Sequence, residues 1–246
     1  MRKFGLIGFP LVQSFSKKFF TAKFEKEGID AQYELYELKD ISELIDLKTD
    51  TEIFGLNVTI PYKEKVIQFL DELDETAAEV GAVNVIKFIR TEGKLKLKGY
   101  NSDVIGFENS LKPFLQTYHK NALILGTGGV SKAVDYVLQK NGIKTTFVSR
   151  VSKENALTYS QLTEDILNDN LLIVNASPVG TFPNVNECPE IPYQFLHEKH
   201  FLYDLVYNPA ETLFLKKGKE HGTQLLNGES MLITQALVSW EIWNDC

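Results

Sequence analysis

Apolar positions in the first hundred residues fall in short runs separated by polar, helix-like stretches. Residues 3–8 (K-F-G-L-I-G) predict a strand, and a serine-rich turn then leads into a helix beginning near Ser16. Residues 33–38 and 53–59 predict two further strands, with a short helix over 41–48 between them. Pro61 suits the first position of a helix, where its missing N–H loses no intrahelical partner, so a helix start is expected there. Another helix is predicted over 71–80, its acids Asp71, Glu72, Asp74 and Glu75 complementing the positive end of the helix. Residues 83–90 and 95–100 then form a predicted hairpin around Thr91-Glu92-Gly93-Lys94. Alternation of strand and helix at this spacing argues for βαβ units around a mostly parallel sheet.

A helix from about Asp103 to Leu115 precedes a second, cleaner series. Its predicted strands are 122–125, 145–148, 171–175 and 201–206, and its helices 130–140, 210–221 and 229–243. A change of domain is expected near Tyr100–Asp103. The last helix is apolar on much of its surface (Met231, Leu232, Ile233, Ala236, Leu237, Trp240) and needs a large partner, for which the first domain is the candidate.

Composition narrows the classes. The 246 residues, 43% hydrophobic and 24% charged, suffice for one large or two small globular domains. The net charge is −7, and no basic run interleaves with aromatics, which argues against a nucleic-acid surface. The longest apolar stretches, such as 122–125 and 171–174, are far short of a bilayer span, so no membrane partner is expected. Residues 1–5 run into a strand pattern without a secretory apolar stretch. Cys188 and Cys246 form neither metal spacing nor a disulfide framework. A cytoplasmic protein acting on a small molecule, without a metal, is the expectation.

Some polar clusters have ordinary explanations. His197 and His200 flank a charged turn with no third ligand, and His119 and His221 lie among Lys and Gly, so all four are expected at the surface. Lys94, Lys96 and Lys98 alternate as on a wet strand face, needing no anionic partner.

Other residues carry candidate chemistry. The run 122–125 flows into G-T-G-G-V-S-K-A, and a helix follows. Gly126, Thr127, Gly128, Gly129 and Val130 therefore form a candidate pyrophosphate turn, where glycines allow close approach of backbone N–H groups. An NAD site calls for an acid at the end of the next strand. That strand ends instead in Ser149-Arg150, and a guanidinium there attracts the 2′-phosphate of NADP. In the first domain, Ser14 and Ser16 sit where they would cap a helix or hold a carboxylate. The segment N-V-T-I-P-Y-K brings Thr59 and Lys63 to a strand end, Asn84 interrupts an apolar run, and Asp103 follows Asn101-Ser102.

These blocks together resemble the shikimate dehydrogenase family over nearly the whole chain and in order. The resemblance rests on Gly8-Phe-Pro with Ser14 and Ser16, N-V-T-I-P-Y-K, G-A-V-N to Asn84, and Asn101-Ser-Asp103. It continues through the glycine loop, Asn175-Ala-Ser-Pro-Val-Gly180, Tyr203-Asp-Leu-Val-Tyr207-Asn-Pro209, Gly228-Glu-Ser-Met231 and Gln235-Ala236. It implies an N-terminal α/β substrate domain with a mostly parallel sheet (1–101, with 229–246 packing back on it). A C-terminal Rossmann-type NADP domain (102–228) would complete the chain, with the active site in the cleft between them.

Carried over residue by residue, the resemblance implies that Ser14 and Ser16 hold the substrate carboxylate. Thr59, Asn84, Asp103 and Gln235 would bind ring hydroxyls, with Tyr207 nearby, and Lys63 beside Asp103 would serve the reacting oxygen. Gly126, Gly128 and Gly129 would approach the pyrophosphate, and Ser149 and Arg150 the adenosine phosphate. Ala176, Ser177, Leu205, Gly228 and Met231 would frame the nicotinamide. The implied reaction is reversible reduction of 3-dehydroshikimate to shikimate by NADPH, in the pathway to chorismate and aromatic amino acids. The alternatives are a relative accepting quinate or using NAD, and a non-catalytic NADP-binding sensor. A homodimer is compatible with either.

Departures from the family pattern are Gln13 for a frequent histidine, Lys17 for a frequent proline and Ser102 for a common threonine. Ser149-Arg150-Val151 stands where Asn-Arg-Thr is common, removing two contacts to the cofactor phosphate or adenine. The chain is also on the short side for the family.

Overall fold

The computed structural model describes residues 1–11 and 14–245; Gln13 and Cys246, both noted above, lie outside the described residues. The chain divides into two compact units, Met1–Ser102 with Gln235–Cys246, and Asp103–Thr234. The divisions fall inside two helices, at the first residue of one and about the middle of the other.

In the first unit, β1 (Arg2–Gly8), α1 (Phe15–Glu27), β2 (Ala31–Glu37), α2 (Leu44–Leu47) and β3 (Ile53–Val58) follow in order. Then come β4 (Glu72–Leu73), α3 (Glu75–Val80), β5 (Val85–Thr91), β6 (Lys94–Tyr100) and the start of α4 (Ser102–Leu111). The sheet order is β2-β1-β3-β5-β6-β4. β1 runs parallel to β2 and β3, while β5 is antiparallel to β3 and β6. One face buries Ile7, Leu56, Val66, Ile86 and Leu97. The other is aromatic: Phe4, Phe20, Phe24 and Tyr33 pack with Trp243, from the last helix, whose ring stacks on Phe4 at 4.9 Å. Burying a side chain of this size contributes roughly 1.5–3 kcal/mol.

The second unit contains β7 (Asn121–Leu125), α5 (Gly129–Lys140), β8 (Lys144–Ser149), β9 (Ala156–Thr158), α6 (Glu164–Asp169) and β10 (Leu172–Asn175). β11 (Phe201–Asp204), α7 (Leu213–Glu220), β12 (Gln224–Leu226) and the start of α8 (Glu229–Asn244) follow. Every pairing in its sheet is parallel, in the order β12-β11-β10-β7-β8-β9. Parallel strands buried on both faces explain the unbroken apolar runs Ala122–Leu125 and Leu172–Val174. Among the described residues no helix is long and apolar enough to cross a membrane.

Several expectations are corrected. No helix begins at Pro61: the Tyr62 N–H closes a turn on the Thr59 carbonyl, and a short 3₁₀ helix starts only at Lys65. The Lys63 carbonyl, which a helix would use internally, instead accepts the Val83 N–H at 2.7 Å. The predicted helix over 71–80 is shortened because Glu72–Leu73 pairs with β6 and Asp74 caps α3 through the Ala77 N–H. Lys96 and Lys98 do have an anionic partner, since Glu72 stands on the neighbouring strand and its carboxyl is held down to about 2 by hydrogen bonds from both. His119 and His200 are buried, not at the surface. The His200 ring accepts the His197 N–H and bonds the Leu167 carbonyl, which lets it pack inside as a neutral group. The elements β9, α6 and β12 lie outside the expectations; β9 and β12 are three-residue strands that pair with β8 and β11, and α6 is a short helix capped by the Thr163 side chain.

Candidate active site

Strand directions bring the first-domain candidates to one end of their sheet. β1, β3 and β6 finish there and β5 starts there, so the residues after Gly8, Val58 and Tyr100 meet the one before Val85. Main-chain bonds zip these segments together: Thr59 N–H to Ile7, Val58 N–H to Asn84, Asn84 N–H to Tyr100 and Phe9 N–H to Ile60. The Lys63–Val83 bond adds the lysine segment to the same assembly.

A buried polar network runs beneath these loops. The Tyr33 hydroxyl donates to Asn57 Oδ1 at 2.7 Å, and Asn57 Nδ2 donates to Ser239 Oγ at 3.0 Å. Ser239 shares a hydrogen bond with Ser102 at 3.2 Å and donates to the Gln235 carbonyl at 2.8 Å. The Ser102 N–H donates to Asn84 Oδ1 at 2.7 Å, and Asn84 Nδ2 donates to Ser102 Oγ at 3.0 Å. Gln235 joins through a long 3.5 Å contact from Ser102 Oγ to its side-chain oxygen. Thus Asn84 and Gln235, two predicted ring-hydroxyl binders, belong to one hydrogen-bonded cluster. Burial pushes the Tyr33 phenol well up, partly offset by a hydrogen bond with Ser16, so Tyr33 stays a donor.

Ser14 is the N-cap of α1, accepting the Lys17 N–H at 3.1 Å. Accepting leaves its own O–H proton free to donate. Thr59, Ser16 and Lys63 are half-buried, within reach of both protein and solvent. Asp103 is 5% exposed in the first turn of α4 and belongs to the second unit, as does Tyr207 at 38% exposure.

In the second unit, counting β7 as the first strand gives the order 3-2-1-4-5-6 of a doubly wound dinucleotide fold. Its switch point lies between β7 and β10, which lead directly into Gly126 and Ala176. Gly126 has φ 118°, and a Cβ there would also stand 3.1 Å from the Ala176 carbonyl oxygen, so only glycine fits. Gly128 is the N-cap of α5 and offers no capping side chain at the positive end of the helix, the place an anion would take. This arrangement fits a bound pyrophosphate. Ser149 is buried at the end of β8 and its hydroxyl accepts the Val151 N–H, while Arg150 is exposed beside it.

The sequence reading missed several residues. Lys153 donates to Thr127 Oγ1 at 2.7 Å, placing a second cation at the glycine turn. Tyr33, Asn57 and Ser239 were also missed, although Asn57 inside an otherwise apolar strand was a usable signal. At the end of β11, Asp204 is 0% exposed and, among the described residues, faces no cation. Among the described residues, no group of His, Cys, Asp and Glu is arranged to hold a metal ion.

A glycine turn at the switch point of a 3-2-1-4-5-6 sheet defines a dinucleotide-binding protein. The absence of an acid at the end of β8 marks the site as one suited to a phosphorylated dinucleotide. Comparison with known proteins makes this particular. Residues 6–86 match the model of the shikimate dehydrogenase substrate binding domain. The curated shikimate dehydrogenase (NADP(+)) of Aquifex aeolicus is 36% identical over 255 residues, covering 99% of this chain and 91% of that protein. A crystal structure of the Aquifex aeolicus enzyme superposes with a TM-score of 0.86 over 100% of this chain and 93% of that one, at 35% identity. The Thermus thermophilus enzyme, solved in complex with NADP(H) and shikimate, gives 0.85 at 27% identity, covering 100% and 94%. The chain belongs to the shikimate dehydrogenase family.

Proposed function

We propose that the chain catalyses the reversible reduction of 3-dehydroshikimate to shikimate with NADPH, a step toward chorismate and the aromatic amino acids. The observation that carries this reading is similarity along essentially the whole chain to relatives named shikimate dehydrogenase (NADP(+)). The unit Met1–Ser102 with its returning helix is assigned to the substrate, and Asp103–Thr234 to the cofactor.

Ser14 and Ser16 receive the substrate carboxylate, the first with a free O–H and the positive end of α1 behind it. Thr59, Asn84, Asp103 and Gln235 bind ring hydroxyls, with Tyr207 at the edge. NADPH, when bound, supplies a hydride to the ring carbonyl carbon. Lys63 then meets the negative charge developing on the carbonyl oxygen and donates the proton that completes the hydroxyl. In the oxidative direction a neutral Lys63 takes that proton back. Asp103 is the second residue assigned to catalysis. The glycine turn with Thr127 and Val130 would hold the pyrophosphate, Ser149 and Arg150 the 2′-phosphate, and Ala176, Ser177, Leu205, Gly228 and Met231 the nicotinamide side. The reading further assigns the enzyme to the cytoplasm, with no nucleic-acid partner, and leaves a homodimer to be tested by sedimentation.

Shikimate oxidation followed by nicotinamide absorbance tests the proposal, with NADP against NAD and quinate as second substrate. Turnover of shikimate with NADP preferred is the expected result. Tight NADP binding without turnover would replace the enzyme by a nucleotide sensor.

A further inference from the structure

We infer that Asp204 is a positioning residue that fixes the backbone meeting the nicotinamide half of the cofactor. This rests on the cofactor reading above. Asp204 Oδ1 accepts from Asn175 Nδ2 at 2.9 Å and from the Val206 N–H at 3.0 Å, and Oδ2 accepts from the Thr212 hydroxyl. These donors come from the end of β10, the loop after β11 and the N-cap of α7.

Asn175 passes the constraint onward. Its Oδ1 accepts from the Ser177 N–H at 3.1 Å and from Ser177 Oγ at 2.6 Å, while its carbonyl accepts the Leu205 N–H at 3.0 Å. Val206 in turn accepts the Gly228 N–H at 3.2 Å, and a Cβ on Gly228 would collide with the Leu205 carbonyl. One carboxyl therefore registers Ser177, Leu205 and Gly228 against each other.

These segments lie on the β10–β11 side of the switch point, opposite the β8 end that carries Ser149 and Arg150. In a doubly wound fold the two halves take the two mononucleotides. The half ordered by Asp204 is thus the one left for nicotinamide. A buried carboxylate without a cation is unfavourable unless hydrogen-bonded. No neutral side chain of this size accepts from three donors at once, which accounts for an acid in the interior.

The test uses the full chain with Asp204→Ala and Asp204→Asn. Steady-state kinetics are measured beside the affinity for adenosine 2′,5′-bisphosphate, which lacks the nicotinamide half. Asp204→Ala is expected to lower kcat/KM for NADP by about ten- to a hundredfold through misplacement of the reacting ring. Affinity for the bisphosphate stays within about twofold, as for a distant site. Asp204→Asn keeps Oδ1 for Asn175 and Val206 and restores most of the turnover. If Asp204→Ala fails to fold, the isosteric Thr212→Val carries the same comparison, with a smaller loss and the same selectivity. Equal losses in turnover and bisphosphate affinity, or no loss in either, overturn the inference. Absence of both turnover and bisphosphate binding in the unaltered protein would instead overturn the cofactor reading.

Discussion

Asn84 and Ser102 hold each other twice: the Ser102 N–H donates to Asn84 Oδ1 at 2.7 Å, and Asn84 Nδ2 donates to Ser102 Oγ at 3.0 Å. The side chain assigned to a ring hydroxyl is thereby set in orientation before any ligand arrives. Asn84→Ala breaks both bonds and strands buried polar groups, so stability should fall by about 1–3 kcal/mol in urea unfolding. The Michaelis constant for shikimate should rise at least as much as turnover falls. A loss of turnover alone would mean that Asn84 does not bind the ground-state substrate.

Lys63 is anchored by its own carbonyl, through the Val83 N–H, independently of its ammonium. Lys63→Ala therefore keeps the main-chain arrangement and removes the side chain beyond Cβ, the ammonium included. Turnover is expected to drop by about 10²–10⁴ with little change in shikimate affinity. Near-normal turnover in stopped-flow hydride transfer would remove the lysine from the chemistry.

Arg150 follows β8 and Lys153 bonds Thr127 of the glycine turn, two cations on the side of the site assigned to adenosine. Arg150→Ala should raise the Michaelis constant for NADP far more than for NAD, and adding Lys153→Ala should erase most of the remaining preference. Equal effects on both cofactors would rule out a phosphate contact at these positions.

Burial holds the pKa of His119 and of His200 below the ordinary histidine value. Both are favoured neutral in the folded state, so the unfolded chain takes up protons first as pH falls. Their contribution to stability is complete above about 6.5 and is lost progressively below it. Asp204 has the opposite sign: burial pushes its pKa up to about 6, and protonation below that value relieves the folded state. Urea midpoints should decline from pH 7 toward 5, and decline more steeply in Asp204→Asn, where the opposing group is gone. A flat profile in both proteins would contradict the burial of the two histidines.

Legibility from sequence followed the range of the interaction. Runs such as Ala122–Leu125 and the glycines after them announced strand, turn and helix because the determinants are local. Pro61 misled because a bond between Lys63 and Val83, twenty residues apart, overrode a good local helix signal. Glu72 was assigned to a helix start because its lysine partners lie on another strand. Asn84, Lys63 and Asp103 were singled out individually from residue type, and the resemblance grouped them. Asp204, Asn175 and Thr212 were passed over because an acid at the end of F-L-Y-D gives no sign of what donates to it. Only the folded chain brings the donors Asn175 and Thr212 to the Asp204 carboxyl.

The aromatic face of the first unit has a consequence for synthesis. Phe4, Phe20 and Phe24 are made early, yet Trp243, which stacks on Phe4 and donates to the Ile86 carbonyl at 3.1 Å, arrives last. On the ribosome the first hundred residues can form a sheet whose aromatic side, covered by α1, still lacks Trp243 while the entire nucleotide unit is being made. That unit can close its own core meanwhile, so the second unit in the chain can be the first to finish. A nascent chain stalled before Trp243 exposes the sticky half of an unfinished domain, the kind of surface a holding chaperone recognises.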